Sequence, residues 1–260
     1  MKSDLNNFNP LNPPYQGGQL RAPLIKGVGG FITMQKNLIV LSLGGSLIVP
    51  DQIDADFLVR FKKLIDSEIK KGKRFVIICG GGRTSRNYVN AAKQVIKIND
   101  EDCDWLGIHS TRLNAHLLRT IFYKEANPRI ITHPLERFVF TEKILIAAGW
   151  KPGCSSDYDA VLLAKKLKAK MVINLSNIDY AYDKDPKKYK NAKPISDITW
   201  PEFRKIIPKK WSPNLNSPFD PVASKEAEAA KLEVVIMNGH NLDNLKACID
   251  GKEFIGTTIK

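Results

Sequence analysis

Short continuous apolar runs alternate along the chain with segments whose apolar residues recur every three or four positions. Asn37–Leu43 is one such run, of the kind that a strand buried on both faces presents. Asp56–Lys71 carries Phe57, Phe61, Leu64 and Ile65 at helical spacing and stops at Gly72. Arg74–Cys79 predicts a second buried strand, followed by Gly80-Gly81-Gly82 and a helix to about Lys97. A longer helix is predicted over Asp104–Ala126, then strands over Arg129–Thr132 and Lys143–Ala147. Asp157–Leu167 predicts a helix, Lys170–Leu175 a strand, and Trp200–Ile207 a short helix. Asp220–Lys231 (helix), Glu233–Met237 (strand) and Leu242–Ile249 (helix) complete the pattern. Alternation of this kind builds an α/β fold, an αβα sandwich with a mostly parallel central sheet.

Residues 1–33 lack this periodicity. Asn6–Gly18 is rich in Asn, Pro and Gly, which predicts a flexible N-terminal extension ahead of one folded domain over residues 34–260. A chain of 260 residues is long enough for a large single core. Hydrophobic residues make up 43%, and the apolar runs are too short to span a bilayer. With no leader pattern at the start, the expected address is the cytoplasm, away from any membrane.

The four cysteines (79, 103, 154 and 248) form no Cys-x-x-Cys pair and the four histidines lack ligand spacing. Neither a zinc site nor a disulfide framework is predicted, and no side chains are assigned as metal ligands. The formal net charge of +13 favours phosphate-bearing partners, nucleotides and nucleic acids alike. Lys and Arg are spread over the whole chain without a nucleic-acid-binding signature or interleaved aromatics, which favours small polyanions over nucleic acid.

Ligands of open parallel sheets bind at the carboxyl ends of the strands. Here four predicted strands end in small or polar residues: Gly44-Gly45-Ser46, Gly80-Gly81-Gly82-Arg83-Thr84-Ser85-Arg86, Gly149 through Asp157, and Ser176-Asn177-Ile178-Asp179. Glycines let a backbone approach a phosphate, and amides at a helix start bind anions. Neither the P-loop pattern nor the dinucleotide fingerprint is present. The residues alone therefore reach an α/β protein with several phosphate-binding loops.

The ordered set of these segments resembles the archaeal-type UMP (uridylate) kinases of the amino-acid-kinase superfamily. The resemblance rests on Gly44-Gly45-Ser46-Leu47, Gly80-Gly81-Gly82 with Arg86, and Gly107 followed by Thr111-Arg112-Leu113-Asn114-Ala115. It continues through Pro152-Gly153-Cys154-Ser155-Ser156-Asp157, Asn177-Ile178-Asp179, Tyr182 to Lys188, Asp220-Pro221 with Lys225, and Gly256-Thr257-Thr258-Ile259. It implies transfer of the γ-phosphoryl of ATP to UMP with Mg²⁺, in pyrimidine nucleotide synthesis, by a homo-oligomer, a hexamer built from dimers. By the same resemblance, Gly44, Gly45, Arg86, Asp157 and Lys225 would be catalytic. Ser42, Leu43, Gly44, Gly45, Ser46, Gly82, Arg86, Ser176, Tyr182 and Asp185 would hold ATP. Gly81, Asp104 and the loop Trp150, Lys151, Pro152, Gly153, Cys154, Ser155 and Ser156 would hold UMP. Two positions depart from the pattern: Ser42 stands where many relatives carry lysine, and Cys154-Ser155-Ser156 stands where His-Thr-Thr or Phe-Thr-Thr is usual. The alternatives are another small-molecule kinase of the superfamily or a non-catalytic relative that binds nucleotides or oxyanions.

Overall fold

A computed structural model describes residues 37–210 and 217–260. The predicted N-terminal extension over residues 1–33 lies outside the described residues. The elements run β1 (Leu38–Leu43), α1 (Gly45–Ile48), α2 (Ala55–Lys70), β2 (Arg74–Cys79), α3 (Gly82–Val95) and α4 (Asp100–Ile121). They continue with β3 (Ile144–Ala147), α5 (Ser156–Lys166), β4 (Met171–Ser176), β5 (Ala181–Tyr182), β6 (Pro194–Ile195) and β7 (Asp197–Ile198). The last are α6 (Trp200–Ile206), α7 (Pro221–Ala229), β8 (Glu233–Asn238), α8 (Leu242–Ile249) and β9 (Thr257–Ile259).

The main sheet has the order β3-β2-β1-β4-β8-β9-β7. Its first five strands are parallel, whereas β9 pairs antiparallel with β8. The chain leaves β1 toward β2 and β3, then returns on the other side at β4. That reversal leaves a crevice at the carboxyl ends of β1 and β4, where open α/β sheets bind ligands.

Alternate residues of each strand feed two cores. Ile39, Leu41 and Leu43 of β1 join Phe57, Phe61 and Ile65 of α2 and Leu118 of α4. Leu38 and Val40 join α5, α6 and α7 through Ala160, Phe203 and Ala223 on the opposite face. This is the period of two expected of a strand covered on both sides. Phe61 is fully buried, stacked on Phe57 at 5.7 Å between ring centroids and edge-on to Phe122 at 6.4 Å. Removing it empties space that a well-packed interior cannot refill. Phe61→Ala is expected to lower stability by about 3–5 kcal/mol, read from denaturant unfolding.

Several predicted boundaries move for identifiable reasons. The fourth helix begins at Asp100, because Asn99 caps it by accepting the Asp102 N–H (2.8 Å), with Asp100, Glu101 and Asp102 in the first turn. Asp104 therefore lies inside this helix. The predicted strand over Arg129–Thr132 is reduced to one bridge between Ile131 and Ala147. The short strands β5, β6, β7 and β9 and the single turn α1 were not predicted, since two to four residues carry no readable period.

Candidate active site

Two glycine turns meet at the carboxyl ends of the central strands. The Gly44 N–H donates to the Leu175 carbonyl of β4 (2.8 Å), and the Gly80 N–H donates to the Leu43 carbonyl of β1 (2.9 Å). These bonds bear on two of the expected site residues. An amide has one proton to give, so Gly44 is engaged with the sheet and its N–H does not face a phosphate. Leu43 is fully buried in the core and its carbonyl receives Gly80, so its side chain is no nucleotide contact.

Beside these turns opens a cavity of about 290 Å³ whose wall includes Gly81, Gly82, Arg86, Asp104, Cys154, Ser155, Ser156, Asp157 and Asp220. Asp157 is the second residue of α5, after Ser155, which caps the helix by accepting the Tyr158 N–H (3.2 Å). Asp157 therefore has no capping duty and turns toward the strand ends. Its Oδ1 accepts from Ser42 Oγ (2.8 Å) and from Asn174 Nδ2 (2.8 Å). Ser42 and Asn174 are register partners on β1 and β4, both buried on the α5 side of the sheet. Burial pushes the Asp157 carboxyl up to about 7; the Ser42 hydroxyl opposes this, the negative charge of Asp220 adds to it, and a hydrogen bond from the Asp220 N–H opposes it.

The segment 107–115 holds the surrounding loops in place. Thr111 Oγ1 accepts the Gly149 N–H (2.8 Å), and the Arg112 guanidinium donates to the Trp150 carbonyl (3.2 Å). Asn114 Nδ2 donates to the Gly80 carbonyl (2.8 Å). One helix thus ties down both the glycine turn after β2 and the loop after β3. Asp104, one side of the cavity, accepts the Gly153 N–H at Oδ2 (2.8 Å) and closes the same loop from above. Asp159 closes it from below, accepting the Trp150 N–H (3.1 Å); burial pushes its carboxyl up to about 8 against that bond and the Arg112 charge. The sequence reading assigned no role to Arg112, Asn114, Asn174 or Asp220. Arg112, Asn114 and Asp220 stood within quoted motifs, and Asn174 left its own signal, as the one polar residue inside the apolar run Met171–Leu175.

The other expected site residues fall outside this wall. Gly45 and Ser46 open α1, where Gly45 lies against the backbone of Gly80, Gly81 and Gly82, and Ser176 ends β4 beside Gly44. Tyr182 is half-buried in β5, and Asp185 Oδ1 accepts the Lys187 N–H in the turn beyond it (3.0 Å). Lys225 is exposed on α7. In the loop, the Trp150 ring lies 4.6 Å from that of His133, with Lys151 Nζ 4.2 Å from the Trp150 centroid, and Trp150, Lys151, Pro152 and Gly153 are not part of the cavity wall. All four cysteines are free. Among the described residues there is no group of three or more His, Cys, Asp or Glu that could hold a metal ion, and no helix is long and apolar enough to cross a membrane.

Residues 37–238 match the profile of the Amino acid kinase family. The chain is 35% identical over 229 residues to a protein named uridylate kinase from Thermoplasma volcanium, covering 85% of this chain and 97% of that one. It is 33% identical to a protein named uridylate kinase from Thermococcus kodakarensis, covering 85% of this chain and 99% of the relative. Among solved structures it superposes on uridylate kinase from Archaeoglobus fulgidus with a TM-score of 0.72 and 28% identity, over 85% of this chain and 99% of the other. The chain belongs to the Amino acid kinase family.

Proposed function

We propose that the protein is a UMP kinase, transferring the γ-phosphoryl group of ATP to UMP to give UDP. The observation that carries this is the convergence of Gly81, Gly82 and Arg86, from the turn after β2, with Asp104 and the loop Cys154–Ser156 around one cavity. The relatives' shared name narrows the acceptor to UMP.

The acceptor phosphate is already ionised at neutral pH, so the reaction needs no strong base. The protein has to align two polyanions and offset their charge. Arg86 presents a planar fork to a phosphate at the start of α3, and the Ser155 and Ser156 hydroxyls face the acceptor. Asp157, fixed by two hydrogen bonds, orients the charged groups and forms no covalent bond. The donor nucleotide would lie toward Ser46, Ser176, Tyr182 and Asp185, with Lys225 on the same rim.

Phosphoryl transfer from ATP implies Mg²⁺. The cavity wall fits a hard cation, because Asp220 Oδ2 is a buried oxygen with no hydrogen-bond partner. Asp157 and Asp220 would hold the ion, which when bound supplies positive charge to the phosphates. Exposed Tyr88 and Val95 on α3 and Leu113 on α4 favour association with further copies, in line with a hexamer built from dimers in the cytoplasm.

A coupled assay of ADP release across UMP, CMP, dTMP, acetylglutamate and isopentenyl phosphate tests the reading. UMP is expected to be the fastest acceptor. Faster turnover of another acceptor would reassign the substrate, and nucleotide binding without turnover of any acceptor would favour the non-catalytic alternative, which Ser42 in place of a lysine makes specific.

A further inference from the structure

We infer that Asp157 and Asp220 form a divalent-cation seat built into the protein before any nucleotide arrives, and that its charge stands in for the cation that Ser42 does not supply. The inference rests on the phosphoryl-transfer reading of this cavity and deepens it: the protein itself holds the ion, with no nucleotide needed to bring it.

Three carboxylates (Asp104, Asp157 and Asp220) face a single guanidinium, that of Arg86. A cavity lined in this way repels a phosphate unless further positive charge enters it. No lysine or arginine of the described residues is among the groups that set the Asp157 carboxyl; its near neighbours are neutral Ser42 and Asn174, and the anionic Asp220.

The two carboxylates are also prepared differently from ordinary surface acids. Asp220 caps α7, and its Oδ1 alone does that work, accepting from the Val222 N–H (2.6 Å) and the Ala223 N–H (2.7 Å). Its Oδ2 is buried and has no partner, in a residue only 5% exposed. An orphaned carboxylate oxygen at such a place is costly unless something binds it. A carboxylate offers about four acceptor positions. Ser42, Asn174 and the Asp220 N–H take up part of the Asp157 carboxylate and leave capacity for one more partner. Two hard oxygens from two helix starts, with waters and later phosphates completing the shell, is the manner in which Mg²⁺ is commonly bound. Ser42 and Asn174 act as positioning residues for this seat.

The test is a titration of Mn²⁺ into the full chain without nucleotide, following the free-ion signal by electron paramagnetic resonance. The wild type is expected to bind one Mn²⁺ per chain at this seat. Asp220→Asn keeps the cap, since asparagine caps as well as aspartate, and is expected to weaken that binding by about tenfold or more through loss of a ligand charge. Asp220→Ser, another capping residue, provides the second variant should the first fold poorly. A wild type that binds no Mn²⁺, or capping variants that bind it as tightly as the wild type, would overturn the seat. UMP-dependent ADP release on the same preparations separates the two claims. Mn²⁺ binding lost in Asp220→Asn without any UMP turnover leaves the seat standing and sinks the kinase reading. UMP turnover with Mn²⁺ binding indifferent to Asp220 does the reverse.

Discussion

Gly45→Ala is expected to lower turnover by about a hundredfold or more and to destabilise the fold, although it adds a single methyl group. A Cβ on Gly45 would lie 2.0 Å from the Gly82 nitrogen, 2.6 Å from the Gly80 carbonyl carbon and 2.7 Å from that of Gly81. All three are backbone atoms, so no side chain can swing aside. The turn after β1 and the turn after β2 would have to separate. Overpacking of this kind costs about 1–3 kcal/mol and sometimes more. The catalytic loss follows from geometry, because Gly81, Gly82 and Arg86 all ride on the displaced turn. A misplacement of about 1 Å at a reacting centre costs roughly a hundredfold in rate. Thermal unfolding and steady-state turnover on one preparation test both halves. A variant with wild-type melting temperature and wild-type turnover would mean that the two turns are not in backbone contact.

This close approach also explains what the sequence could and could not disclose. The apolar runs at Asn37–Leu43, Arg74–Cys79 and Glu233–Met237 announced the parallel strands, since a strand covered on both faces must be apolar throughout. Glycines at two consecutive strand ends marked where backbones approach, but not that the nearest partner of each turn is the other. Hence Gly44 was assigned a phosphate, whereas its amide is bonded to Leu175. The caps of α4 and α5 are Asn99 and Ser155, so neither Asp104 nor Asp157 is taken up in capping and both line the cavity. The link from Ser42 to Asn174 and Asp157 spans well over a hundred residues and arises only from strand register, which no local period encodes. The motif Thr111-Arg112-Leu113-Asn114 was visible as a pattern, yet its physical work, holding the Gly149 and Gly80 turns, belongs to tertiary contact.

Asp157→Asn is expected to lower turnover by about 10²–10³-fold while the protein stays folded, the range found when one preorganised electrostatic group is removed from an active site. The structure indicates why the fold would survive. The bonds from Ser42 Oγ and Asn174 Nδ2 both end on Oδ1, and an asparagine carbonyl oxygen can accept both. What changes is the other end of the side chain: an oxygen able to face cations becomes an amide that donates. Removing the negative charge also relieves the repulsion between Asp157 and Asp220 that helps to raise the Asp157 carboxyl to about 7, so melting temperature is expected to hold or rise. A structural role would instead show as a lowered melting temperature with turnover per folded molecule unchanged. The informative comparison is Ser42→Ala, which removes one donor from Oδ1 and leaves the carboxylate in place. Its expected loss in turnover is smaller than that of Asp157→Asn. Near-normal turnover in purified, folded Asp157→Asn would remove Asp157 from the mechanism, whatever the relatives are named.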